Sequence, residues 1–194
     1  MSSYEYGRIG VLADSLARAG IPSGTAERIL EGGDRILRGT SPEAKAAWMG
    51  EAMRRMDALL DARTAHAVRE RCACCLGGKR LKVSRGIAKE YESLEERVRA
   101  ANEAKLVFGH SVSLTPDGDV LICFSPEGEA HYRCPCLPKA KEPLSITYCY
   151  CCGGHAKHHL QMALGRTLEL VEVRSSALSS GGTKPCTFLL RLLE

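Results

Sequence analysis

Three short cysteine clusters constrain this chain more than any other feature of its sequence. They contain eight of its ten cysteines, and two are near copies: C-A-C-C-L-G-G at 72–78 and C-Y-C-C-G-G at 149–154. Thiols gathered in this way bind a metal or cluster, or perform redox chemistry. The sequence therefore predicts a thiolate site with these candidate metal ligands: Cys72, Cys74, Cys75, Cys134, Cys136, Cys149, Cys151 and Cys152.

The composition of the chain indicates the size of the fold and the compartment in which the thiols lie. The chain has 194 residues and 44% hydrophobic residues, which suits one compact unit or two small ones. No apolar run approaches the roughly 18 residues of a membrane span, and the start, Met1 to Tyr6, lacks the pattern of a signal peptide. We therefore expect a cytoplasmic protein with no membrane segment, whose reduced thiols favour metal binding over disulfides.

The first part of the chain, residues 1–71, is predicted to be helical. Two helices are expected near 7–19 and 24–38. Ser41 followed by Pro42 is typical of a helix start, and the apolar spacing beyond it predicts one helix that continues to the first cysteine cluster. A further single helix is expected over 87–101.

The rest of the chain, residues 72–194, is predicted to form a cysteine-rich core. Alternating apolar residues around a Pro-Asp-Gly-Asp turn indicate a hairpin over 112–124. A helix is expected to open at Gly153-Gly154 and end at Gly165, before strands at 168–173 and 187–192. The fold class is therefore α+β: a helical N-terminal region followed by an antiparallel sheet with an inserted helix.

A structural zinc ion takes four soft ligands, often from two C-x-x-C pairs. Cys72 with Cys75 and Cys149 with Cys152 form such pairs, so these four are the first predicted ligands, with Cys134 and Cys136 next. Glycines follow both pairs, where a positive φ or a close approach is needed. An iron–sulfur cluster needs the same thiolates and stays open as the alternative cofactor. For the other two cysteines, core packing is the favoured interpretation: Cys123 and Cys186.

Histidines and basic residues surround the predicted site. His155 and His159 share a helical face, and His158 lies between them, so one of the three is a candidate ligand or proton carrier. Several basic residues lie near the first cluster: Arg69, Arg71, Lys79, Arg80, Lys82 and Arg85. Because cations near thiolates offset the negative charge of the sulfurs, these residues are explained without a nucleic-acid partner. Since aromatic residues are not interleaved with this group and the net charge is only +4, nucleic acid is not favoured as a partner.

The segment from Cys149 to Leu192 resembles the C-terminal part of the 4-vinyl reductase domain. The resemblance depends on these stretches: Cys152-Gly153-Gly154-His155, Ala163-Leu164-Gly165, Glu169–Val173, Gly181-Gly182 and Cys186-Thr187-Phe188. The whole chain also resembles a group of bacterial cysteine-rich proteins and, more distantly, L-2-amino-thiazoline-4-carboxylate hydrolases. The resemblance implies a domain that binds a small hydrophobic molecule or a metal, often as a homodimer. The chain departs from the pattern at Ser175-Ser176, where relatives often carry a cysteine.

Three functions follow from these patterns. The first is a metal-binding protein, with zinc held by thiolates, that binds or senses a small molecule. The second is a hydrolase of a small sulfur or nitrogen compound, in which a metal activates water or Cys151 attacks with His155 or His158 as base. The third is an iron–sulfur redox protein. Whether the protein is an enzyme stays open at this point, because no residue pattern identifies a substrate. The lack of a Gly-rich nucleotide loop and of a nucleophile-elbow motif argues only against those particular chemistries.

Overall fold

The computed structural model describes residues 4–193, so part of the stretch used for the signal-peptide prediction, residues 1–3, lies outside the described residues. Helices dominate the first half and strands come later, which confirms the α+β class. The helices and strands are α1 Gly7–Arg18, α2 Ser23–Leu30, α3 Pro42–Leu59, α4 Ala62–Arg71, α5 Gly78–Glu90, α6 Leu94–Glu103, α7 Lys105–Phe108, β1 Ser111–Leu114, β2 Val120–Cys123, α8 Tyr150–Leu164, β3 Leu168–Ser175 and β4 Thr187–Leu192.

The four strands form one antiparallel sheet in the order β1-β2-β4-β3. The predicted hairpin over 112–124 is confirmed, with Val112 opposite Ile122. The predicted last strand is also confirmed, and it occupies the centre of the sheet, between β2 and β3. Helix α8 packs against β3, so the sheet supports the helix that carries the third cysteine cluster.

The predictions of single long helices were wrong at two places, and capping side chains explain both breaks. The helix that starts at Pro42 ends at Leu59, because Leu60 is extended and the Asp61 carboxylate accepts the Thr64 N–H at 2.9 Å. The helix predicted over 87–101 is divided between α5 and α6, where Ser93 and Glu96 form a capping box. These caps satisfy backbone N–H groups that would otherwise lose their partners.

Two further helix boundaries differ from the sequence prediction. The helix expected over 24–38 ends at Leu30, and Gly32, with φ of 72°, turns the chain into a short 3₁₀ turn over Gly33–Arg35. Helix α8 begins at Tyr150, three residues before the predicted start at Gly153-Gly154, after a 3₁₀ turn over Ile146–Cys149. The third cysteine cluster therefore lies at the start of this helix and not before it.

One continuous hydrophobic cluster joins the two predicted regions of the chain. Ile9, Met53 and Val68 from the first region belong to the same buried cluster as Ile122 and Phe188 from the sheet. The two predicted regions, 1–71 and 72–194, therefore share one hydrophobic core, and the boundary between them stays a prediction. Within residues 4–193, no helix has both the length and the apolar character needed to cross a membrane.

Candidate thiolate site

The first and third cysteine clusters meet because helices α4 and α8 approach each other closely. A methyl group added at Gly154 would lie 2.3 Å from the Glu70 carbonyl oxygen of α4 and 3.1 Å from the Ala73 Cβ. Only glycine permits this approach. Gly154, after the third cluster, therefore allows α8 to pack closely on α4. After the first cluster, Gly78 has a positive φ of 62°, as the sequence predicted for a glycine at this place.

Cys136 lies at the centre of the thiol group. The pKa of the Cys136 thiol is lowered, and contacts with three neighbouring thiols affect it most. The contact with Cys134 raises this pKa, whereas the contacts with Cys152 and Cys74 lower it. These four sulfurs come from three separate segments of the chain, namely the loop after α4, the C-P-C loop and the first turn of α8. The structure thus brings members of all three sequence clusters to one place.

The Cys134 thiol is held as an anion more readily than an ordinary cysteine. Contact with the Cys136 thiol lowers its pKa, burial acts in the opposite direction, and the backbone N–H groups of Leu137 and Cys136 add to the lowering. Backbone N–H groups directed at a sulfur stabilise the thiolate form. The C-P-C loop is therefore arranged to present thiolates.

Two of the four ligands predicted first are engaged elsewhere. The Cys72 Sγ donates to the Val68 carbonyl at 3.3 Å, within its own helix end. The Cys149 Sγ donates to Ser176 Oγ at 3.0 Å, and burial raises the pKa of this thiol to about 12. Cys75 is exposed and next to Cys74. A site that starts from the pairs 72/75 and 149/152 stays a prediction, and the thiol contacts favour a centre at Cys136.

Cys151 is a buried thiol that the structure stabilises as a thiolate. Contact with the Cys152 thiol lowers its pKa most, burial opposes this, and the guanidinium groups of Arg69 and Arg8 lower it further, to about 6. Cys151 also lies in the first turn of α8, where the helix dipole favours negative charge. Its surroundings therefore favour the thiolate over the thiol.

Arg69 is the most unusual residue of the site, because it is charged and only 3% exposed. Its Nη2 donates to the Tyr148 carbonyl at 3.2 Å, and its guanidinium lies 4.8 Å from the centre of the Tyr148 ring. Its Nε is buried without a hydrogen-bond partner. None of the ion pairs formed by described residues involves Arg69, and its ionisable neighbours are chiefly the Cys151 and Cys72 thiols.

Three histidines of α8 hold the loop of the first cluster by its backbone. His155 Nδ1 donates to the Cys74 carbonyl at 2.9 Å, His159 Nε2 to the Cys75 carbonyl at 3.1 Å, and His158 Nε2 to the Leu76 carbonyl at 3.1 Å. Each of these nitrogens is therefore occupied as a donor. The arrangement gives the histidines a positioning role, and the ligand or base role predicted for one of them stays a prediction.

The central member of this group, His159, is fully buried. Its second nitrogen, Nδ1, lies 3.1 Å from the hydroxyl of Ser84, which is also buried and belongs to α5. Burial lowers the pKa of His159 to about 4. A neutral imidazole thus ties α5, α8 and the cysteine loop together.

A cavity of about 130 Å³ opens beside the thiols. Four cysteines line it, and so do Arg8 and Arg69. Arg8 donates through Nη1 to the Cys136 carbonyl at 2.7 Å and to the Tyr148 hydroxyl at 3.2 Å. No sequence pattern pointed to Arg8, because more than sixty residues separate it from the nearest cluster. Arg69 was visible only as one of several basic residues near the first cluster.

The remaining cysteines lie outside this group. The Cys123 Sγ, in β2, donates to the Ser125 carbonyl at 3.0 Å, and Cys186 accepts the Ala177 N–H at 3.4 Å. Both are half-buried, and Cys186 packs against the hydrophobic core as predicted, whereas the core packing of Cys123 stays a prediction. Across residues 4–193, no three histidine, cysteine or carboxylate side chains are placed as a formed metal cage.

Comparison with known proteins gives one family. A family model described as a family of unknown function, DUF6144, matches residues 13–186. No curated protein and no solved structure matches the chain. The match spans α2 to α8, all three cysteine clusters and most of the sheet. The chain therefore belongs to the DUF6144 family.

Proposed function

We propose that this protein binds a soft metal ion, zinc in the first place, at a thiolate centre around Cys136. Cys134, Cys136 and Cys152 supply three ligands, and the exposed Cys74 is the candidate for the fourth position. Contacts with the Cys136 and Cys151 thiols raise the pKa of Cys152, so on this proposal the metal itself displaces the Cys152 proton. The observation that carries the proposal is the convergence of three chain segments on the Cys136 thiol, beside the buried Arg69. Zinc is commonly held by cysteine thiolates in a tetrahedron with Zn–S distances of about 2.3 Å.

The charge of the site supports a thiolate centre. Arginine stays protonated in proteins, and a buried charge without a partner is strongly unfavourable. Arg69 has ionisable thiols as neighbours, chiefly Cys151 and Cys72, and Arg8 donates to the Cys136 carbonyl. Two guanidinium groups therefore offset the negative charge that several ionised cysteines bring to one place.

Metal binding on this proposal requires small rearrangements of the cysteine side chains. Within the described residues the sulfurs do not form a cage, so the proposal requires rotation about the Cα–Cβ bonds to direct the thiolates at one ion. The backbone around them is fixed, because the histidines hold residues 74–76 and the Leu137 and Cys136 N–H groups support Cys134. Binding energy would then add directly to the stability of the fold.

The fourth position decides which class of metal site this is. A structural zinc has four protein ligands, whereas a catalytic zinc leaves one position for water or substrate. Because Cys74 is exposed at the mouth of the cavity, we infer that a small molecule reaches this position. On this proposal the protein works in the cytoplasm as a binding or sensing protein, and an iron–sulfur cluster is the alternative cofactor.

A cobalt(II) titration tests the proposal, because thiolate coordination gives intense near-ultraviolet charge-transfer bands and visible d–d bands. We expect one ion per chain in the natural protein and loss of most of the binding in Cys136→Ser. Cys123→Ser is the matched control, since its thiol lies in β2, away from the Cys136 group. If the two variants bind cobalt equally well, the proposed centre is wrong.

A further inference from the structure

We propose that the cavity beside Cys136 is a binding site for a small oxyanion, held between Arg8 and Arg69. The inference rests on the proposed function in one respect: the anion would be the small molecule that reaches the fourth metal position. The cavity itself is defined by residues of α1, α3, α4, the C-P-C loop and the start of α8.

The charges around the cavity favour an anion. Two guanidinium groups line it, and no carboxylate is among its lining residues. None of the ion pairs of the described chain neutralises Arg8 or Arg69. The planar guanidinium has several donors in a fixed geometry, which suits the paired oxygens of an oxyanion better than a spherical halide.

Arg69 also has a hydrogen-bonding capacity that the protein leaves unused. Its Nε is fully buried and has no acceptor, while its Nη2 is satisfied by the Tyr148 carbonyl. A buried donor without an acceptor costs about 1–3 kcal/mol, so such a group in a native fold calls for an acceptor. Because Arg69 lines the cavity, a small rotation of its guanidinium on anion binding would bring this Nε to an acceptor.

The size of the cavity limits the ligand. Its volume of about 130 Å³ corresponds to about four water molecules at roughly 30 Å³ each. An ion of the size of sulfate, sulfite or phosphate fits this volume, whereas a nucleotide or a sugar phosphate does not. The exposed Gly7, Val11 and Cys74 form the mouth, so the ligand can enter from solvent.

Calorimetric titration with sodium sulfate, at an ionic strength held constant with chloride, tests the inference. We expect saturable binding of one sulfate per chain by the full-length protein, at least about tenfold weaker in Arg8→Gln, because a hydrogen bond to a charged group contributes this much. Arg18→Gln is the matched control: Arg18 lies in the same helix, is exposed and does not line the cavity. Arg8→Lys keeps the positive charge but loses the planar set of guanidinium donors, so it should bind sulfate with an intermediate affinity.

The outcomes separate this inference from the metal proposal. Each titration is run on zinc-loaded and on chelator-treated protein, with the metal content measured on the same samples. If zinc binds and sulfate does not, the anion site is wrong and the metal centre stands. If zinc does not bind, the metal proposal is wrong, and the anion site is judged by the difference between Arg8→Gln and Arg18→Gln. Equal sulfate affinity in these two variants overturns the anion site.

Discussion

Gly154 permits the contact between α4 and α8 on which the whole thiolate site depends. A Cβ at this position would lie 2.3 Å from the Glu70 carbonyl oxygen, about 1 Å closer than the usual carbon–oxygen contact of roughly 3.3 Å. The obstacle is backbone, and that carbonyl also accepts the Ala73 N–H at 3.1 Å. Gly154→Ala therefore forces the two helices apart or breaks the turn that leads into the first cysteine cluster.

The magnitude follows from two opposing terms. Overpacking a well-packed interior costs about 1–3 kcal/mol, and more where backbone must move, while alanine gains about 1 kcal/mol over glycine in a helix. Because the obstacle is backbone, the cost lies at the upper end of that range, and we expect Gly154→Ala to lower the free energy of unfolding by about 2 kcal/mol. Gly153→Ala should cost less, because its nearest obstacle, at 2.4 Å, is the end of the Leu170 side chain, which shifts more readily than backbone.

Gly86→Ala is the matched control for this series. Gly86 lies inside α5, and nothing is within 4 Å of the position of its added Cβ, so this change should stabilise the protein by about 0.5–1 kcal/mol. Urea unfolding, followed by circular dichroism, measures all three variants against the natural chain. If Gly154→Ala is as stable as Gly86→Ala, the close approach of α4 and α8 described above is wrong.

Three further predictions concern the residues that position the site. His159→Ala should lower the free energy of unfolding by about 2–4 kcal/mol, because it removes hydrogen bonds and leaves a cavity. The control His110→Ala, at an exposed position, should change that free energy by less than about 0.5 kcal/mol. Equal effects of the two changes in urea unfolding would contradict the role of His159 in holding the first cysteine loop. Because burial lowers the pKa of His159 to about 4 from an unfolded value near 6.5, the unfolded state binds more protons between these values. Stability should thus fall as the pH falls through this window, and a slope unchanged in His159→Phe would exclude His159 as its cause. Ser93→Ala should cost about 1 kcal/mol by removing the capping box of α6, and a loss below about 0.3 kcal/mol in the same assay would show that the cap is dispensable.

Periodicity predicted the sheet well and the helix boundaries less well. The hairpin and the last strand were correct, because alternating apolar residues and a Pro-Asp-Gly-Asp turn specify them locally. The long helices were wrong at Asp61 and Ser93, where a polar residue starts a new helix in the middle of a continuing apolar stripe. Caps of this kind can be read from the sequence, since Ser93 precedes Glu96 at capping-box spacing.

The candidate site was predictable in its residue types and not in its connections. Cysteine spacing identified all the thiols that meet at Cys136, yet it favoured C-x-x-C pairs and gave Cys134 and Cys136 second rank. Cys149 turns to Ser176 because α8 starts at Tyr150, which sends successive side chains to different faces. Arg8, the buried state of Arg69 and the histidine contacts with residues 74–76 arise from tertiary packing, for which local sequence carries no signal.

The central claim, a thiolate-bound metal at Cys136, is tested most directly by the metal content per chain. The protein should be purified without oxygen and without a metal-affinity tag, then examined by elemental analysis together with an absorption spectrum. We predict about one zinc ion per chain and no visible absorption. The number of sulfur ligands would then distinguish a structural zinc from a zinc with an open position. Iron with sulfide and a broad visible band would replace zinc by an iron–sulfur cluster. Protein with neither metal, and with its cysteines free to react with a thiol reagent, would contradict the account.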